Sequence, residues 1–127
     1  MKNRLICAFC LGVIFSGAAF AYNRESLRAS VPSIYRETNK KFFNSELPPV
    51  PIAITDLSGE DTETETILAM TRFDGSFTMD IDLNRIHSQA QLRESIEHES
   101  CHIFGGPEEK EHGSNFRSCL KRFDSQE

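Results

Sequence analysis

The chain has 127 residues, of which 39% are hydrophobic and 26% charged, with 14 basic residues against 19 acidic ones and a net charge of −5. A chain of that size makes one small domain with a real core. Its acidic balance argues against a nucleic-acid or anionic-membrane partner held by charge. Lys40-Lys41 and Lys121-Arg122 are short basic islands, better suited to solvated helix faces than to a phosphate footprint.

Residues 1–21 read as an export signal. Lys2 and Arg4 supply a positive start, Leu5 to Phe15 are almost wholly apolar, and Ala19 and Ala21 give the small-x-small step that a signal peptidase needs. The apolar run falls short of the roughly 20 residues of a spanning helix, and polar Tyr22-Asn23-Arg24-Glu25 follows it directly. Cleavage after Ala21, a secreted or periplasmic location and no stable membrane insertion are therefore expected. Bulky Phe9 before Cys10 weakens a lipidation site there. The mature domain would run from Tyr22 to Glu127 and keep two cysteines, Cys101 and Cys119. In an oxidising compartment this even pair can bridge or stay as two buried thiols.

The first element is a helix over about Pro32–Asn44, capped by Ser30, with Leu27, Val31, Ile34, Tyr35, Thr38 and Phe42 at helical spacing. Leu47-Pro48-Pro49 stops it, and Val50 to Ile54 reads as a short edge strand where proline is tolerated. Ser58 to Glu65 is acidic and turn-like, an exposed loop. Strands near Ile67–Phe73 and Phe77–Leu83 follow, joined through Asp74-Gly75 as a hairpin. In the second, Phe77, Met79, Ile81 and Leu83 alternate with Thr78, Asp80, Asp82 and Asn84, so the apolar set should face the helices. A helix over about Gln89–Phe104 starts with a Ser88/Gln91 capping box and ends at Gly105-Gly106-Pro107. Phe116, Cys119, Leu120 and Phe123 mark one face of a last short helix. The order predicts an α+β fold with a small antiparallel-rich sheet.

His98-Glu99-Ser100-Cys101-His102 fits H-E-x-x-H. At about 100° per residue, histidines four apart sit one above the other, so both imidazoles reach one ion. Glu99 lies about 100° from His98 and about 60° from His102, beside the metal where a general base is needed. Leu92, Ile96 and Ile103 define the core stripe with Glu99 on the same bearing, which sets the histidines at a cleft edge and Cys101 on the side away from the core. A third ligand is expected among His112, Glu108 and Glu111, ranked in that order. His112 is a neutral nitrogen donor next to Gly113, whose small size lets the backbone come close; His87 sits too far before the helix.

His98-Glu99-x-x-His102 followed by His112-Gly113-x-x-Phe116 resembles the pattern of the SprT-like zinc metallopeptidases. Tyr35, Asn39, Phe42-Phe43 and Leu47-Pro48 resemble that family's entry, and Ile81-Asp82-Leu83-Asn84 its strand before the active-site helix. The resemblance covers about Ile34 to Phe123. It implies a minimal zincin-like domain with His98, His102 and His112 on Zn2+ and Glu99 as the catalytic base. Two departures stand out: only nine residues separate His102 from His112, and no cysteine-rich zinc ribbon follows the domain. The acidic surface and export signal do not suit the DNA-linked roles of some members.

The function expected is hydrolysis of a peptide or protein substrate by a zinc-activated water, with Glu99 taking the proton. A zinc-stabilised secreted binding module without catalysis is the alternative, and a metal-free secreted inhibitor or adhesin a third.

Overall fold

Leu27, Val31, Ile34, Tyr35 and Thr38 form one continuous buried stripe. The helix that carries them, α1, runs from Arg24 to Phe43 in a computed structural model of the chain. The structure describes the backbone of residues 3–7 and the whole of residues 24–124. The helix begins well before the expected start, because Pro32 lies inside it and Ser30 does not cap it; the Ser30 hydroxyl donates to the Ser26 carbonyl instead. An interior proline costs about 3 kcal/mol. Burying Leu27 and Val31 returns about 1.5–3 kcal/mol each, so the apolar stripe decides where the helix starts.

The chain reverses after α1 through Asn44 and Ser45, both at positive φ, 52° and 61°. Asn39 clamps this turn twice: its Nδ2 donates to the Leu47 carbonyl at 2.9 Å, and its Oδ1 accepts from the Leu47 amide at 3.0 Å. Tyr35 donates its hydroxyl to the Pro48 carbonyl at 2.7 Å, and burial pushes its phenol up to about 12, so it stays a neutral donor.

Strands β2 (Ile52–Ile54), β3 (Ala69–Phe73) and β4 (Phe77–Ile81) follow. The β3–β4 hairpin is antiparallel, with Gly75 at φ 78° in its turn. The β2–β4 pair is parallel, so the sheet is mixed, although antiparallel pairings outnumber parallel ones among the described residues, as expected. The chain reverses twice between β2 and β4, once on the way from β2 to β3 and again in the hairpin, which brings β4 back to the direction of β2. A strand β1, Asn3–Cys7, pairs antiparallel along the other edge of β3, giving the order β1-β3-β4-β2. The processing step expected after Ala21 lies outside the described residues.

The alternation in β4 holds: Met79, Ile81 and the following Leu83 are buried against the helices. The opposite face is not bare, because Leu57, Ile67 and Met70 form a second small core on it. Glu60 and Asp61 of the acidic loop pair with Arg72 and Arg85, which ties this otherwise exposed loop to the sheet. Asp82 is buried there and accepts from the Leu57 and Asn84 amides.

Helix α2 spans Gln89–Gly105 and α3 spans Ser114–Asp124. The Ser88 hydroxyl caps α2 by accepting from the Gln91 amide, and Gln91 in return accepts from the His87 amide at 2.7 Å. Gly106 ends α2 at φ 85°, a left-handed position that favours glycine. Leu92 and Ile96 of α2 pack with Ile34 of α1, with Met79 and Ile81 of the sheet, and with Phe116 of α3 in one main core. Among the described residues no helix is long and apolar enough to cross a membrane.

The Asn39 clamp gives a prediction about the fold. Asn39→Ala should destabilise the protein by about 2 kcal/mol, since two part-buried bonds are lost at about 1 kcal/mol each. Asn39→Asp keeps only the acceptor and should fall in between. Urea unfolding measures both, and an unchanged midpoint for Asn39→Ala contradicts the clamp.

Candidate metal centre

Helix α2 is buried on more than one side. Sheet and α1 cover the stripe of Leu92, Ile96 and Ile103, and α3 covers the side that carries Cys101. Cys101 is therefore buried rather than turned away from the core, and it is bonded to Cys119 of α3 with a Cα–Cα separation of 5.6 Å. The helical wheel placed Cys101 opposite the stripe correctly, but it had no information on a third helix packing there. A bridge closing a loop of this length stabilises by about 3 kcal/mol, and here it fastens the two helices on either side of the histidines.

His98 and His102 stand one turn apart on α2, and His112 reaches them from the loop before α3. Their ring centroids form a nearly equilateral triangle, with sides of 5.3, 5.3 and 5.2 Å. One donor atom from each lies within 4.8 Å of the others, so the three can hold a metal ion. Nε2 of His102 and Nε2 of His112 are buried with no hydrogen-bond partner among the described residues. A buried acceptor left unmade costs about 1–3 kcal/mol, so nitrogens turned inward together fit a cation between them. Glu108 and Glu111 are exposed and outside this group, and His87 is exposed before α2.

Phe116 forms the floor. Its ring centroid lies 4.7, 4.4 and 4.6 Å from those of His98, His102 and His112. An apolar ring under the triangle limits rotation of the imidazoles and keeps them dry. Burial holds the His98 and His102 imidazoles far down, at about 3 each, and neighbouring histidines push the same way. Both rings are thus neutral at physiological pH, the state that binds metal.

Glu99 is completely buried and faces β3. The Thr71 hydroxyl lies 2.8 Å from its Oε1 and donates to it. Sequence reasoning found Glu99 but missed Thr71, because one threonine in a strand has no signature without its partner. It also missed Glu109, whose carboxylate accepts from the Asn115 and Phe116 amides at the start of α3. Gly113 makes room for that side chain: a Cβ at Gly113 would come within 2.7 Å of Glu109 Cγ. A cavity of about 540 Å³ lies elsewhere, between the start of α1 and the end of β2, and includes none of the three histidines.

The neutral histidine pair sets a pH dependence for the metal-free protein. An unfolded histidine titrates near 6.5, so on acidification the unfolded chain binds protons before the folded one does. Stability is full above about pH 6.5 and falls as pH drops toward the folded value of about 3. Chelator-treated protein should melt at progressively lower temperature between pH 7 and pH 5. A flat melting temperature over that interval contradicts the buried neutral pair.

Comparison with protein families, with curated proteins and with solved structures finds no match, so what this centre does must be argued from its own geometry.

Proposed function

We propose that the protein is an exported zinc metallopeptidase of SprT-like, minimal zincin type, with His98, His102 and His112 on zinc and Glu99 as general base. The observation that carries this reading is a buried carboxylate on the same helix as two of three converging imidazoles. Three nitrogen donors suit zinc, and three protein ligands are the number that catalytic zinc sites use. When bound, zinc would lower the pKa of a water toward neutrality and polarise a carbonyl.

The protein's own groups supply the rest. Thr71 fixes Glu99 Oε1 by its hydroxyl, which holds the carboxylate in one direction between α2 and β3. Glu99 takes the proton of the attacking water and returns it to the leaving amine. Phe116 and the buried surroundings exclude bulk water beneath the imidazoles, which strengthens every charge interaction nearby.

An extended peptide is the substrate class that fits the sheet. Strand β3 touches Glu99 through Thr71, and its outer edge accepts an antiparallel strand, with Leu5 opposite Thr71 in β1. Export with removal of residues 1–21 would expose that edge to a substrate strand.

Zinc analysis and a peptide-library assay test the proposal together. Wild type should bind one equivalent of zinc and cleave. Glu99→Gln should keep the zinc and lose about 10²–10⁴-fold in rate, the usual worth of a general base. Undiminished cleavage by Glu99→Gln removes the assignment of the base. Zinc without cleavage in the wild type leaves the alternative of a zinc-stabilised binding module.

A further inference from the structure

His112 is the least securely placed of the three ligands by local structure. It lies outside any helix, and its backbone has φ 53°, a left-handed conformation that a residue with a side chain adopts only at a cost. Such a conformation persists where the surroundings over-determine it. Two local bonds contribute: the Gly113 amide donates to the Lys110 carbonyl, and Arg117 donates to the His112 carbonyl at 3.3 Å. Neither connects this loop to the end of α2, where the other two ligands sit.

Glu109 does. The first backbone bond of α3 runs from the Arg117 amide to the Gly113 carbonyl, so glycine occupies the N-cap and offers no capping side chain. The Glu109 carboxylate takes that place, accepting from Asn115 at 3.1 Å through Oε2 and from Phe116 at 2.7 Å through Oε1. Its negative charge also suits the positive end of the helix. The same carboxylate rests against the end of α2, where a Cβ at Gly105 would come within 2.6 Å of Oε1. One side chain thus spans the end of α2, the His112 loop and the residue whose ring underlies all three histidines.

We propose that Glu109 is a positioning residue for the metal centre: by capping α3 it sets His112 and Phe116 against the His98–His102 pair. It does not touch the metal itself. This rests on the reading of the three histidines as a zinc site, and it goes beyond that reading by assigning the short His102–His112 connection a role in metal affinity.

The test measures zinc affinity by chelator competition, with the cobalt-substituted spectrum as a second readout, on the full mature protein with its disulfide intact. Glu109→Ala should weaken zinc binding about 10- to 100-fold, the usual cost of losing a residue that orients ligands, and change the cobalt spectrum. Gly105→Ala approaches the same carboxylate without altering Glu109 or any ligand. It should weaken zinc binding in the wild-type background and have less than about a twofold effect once Glu109 is alanine, since coupled sites do not add. Equal effects of Gly105→Ala in both backgrounds overturn the proposal, and so does zinc affinity unchanged in Glu109→Ala with only its melting temperature lowered. If Glu109→Ala does not fold, the Gly105→Ala comparison is made against Glu109→Gln, which keeps one acceptor; a Gly105→Ala affinity equal to wild type overturns the proposal. Wild type that holds no zinc overturns the metal reading as well, and is thereby distinguishable from a failure of the positioning role alone.

Discussion

Glu99 is buried between α2 and β3, and the Thr71 hydroxyl donates to its carboxylate across that interface. This contact fixes the rotation of α2 about its own axis. A helix turns about 100° per residue, so a small rotation that broke the Thr71 bond would also carry His98 and His102 away from His112. The apolar residues on the same bearing, Leu92, Ile96 and Ile103, hold that rotation through area, while Glu99 holds it through direction. Packing alone tolerates slippage that a hydrogen bond between two buried groups does not.

Once α2 is fixed in phase, its far side must be closed. Cys101, opposite the core stripe, bonds to Cys119 and brings α3 onto α2. Phe116 lies three residues before Cys119, one helical turn earlier on the same face of α3, which puts its ring beneath the imidazoles. The nine-residue connection from His102 to His112 is then short because it only has to cross from the end of one helix to the start of its neighbour. The shortness that departs from the resembled pattern matches the disulfide-bonded approach of α2 and α3.

Much of this was legible in the sequence because it is local. The bounds of α2, its Ser88 cap and its glycine stop follow from residues within one turn of each other, and so does the Asp74-Gly75 hairpin. The choice of His112 over Glu108 and Glu111 followed from donor chemistry and the neighbouring glycine. What was not legible is non-local. The start of α1 depends on whether the pockets for Leu27 and Val31 exist, and those are made by other elements. The parallel pairing of β2 depends on which strand lies beside β4. Cys101 was placed on the side away from the core because a helical wheel knows one core direction, and α2 has more than one. Gly113 was read correctly as a residue needed small, yet the neighbour requiring the space is the Glu109 side chain, which no spacing rule reveals.

The balance between a catalytic and a purely structural metal site turns on the same carboxylate. Two devices already fasten α2 to α3: the Cys101–Cys119 bond and the stack of Phe116 on the histidines. A metal serving only stability would add a third fastening between those helices. Glu99 has no part in that, since it faces β3. Burying a carboxylate costs several kcal/mol before compensation, and the Thr71 hydroxyl is among the groups that offset that cost. An apolar residue at position 99 would continue the core stripe of α2 at lower cost. Glutamate at that position, next to His98, supplies the proton acceptor that the proposed hydrolytic centre calls for and that a purely structural site does not, which supports the proposal of hydrolysis.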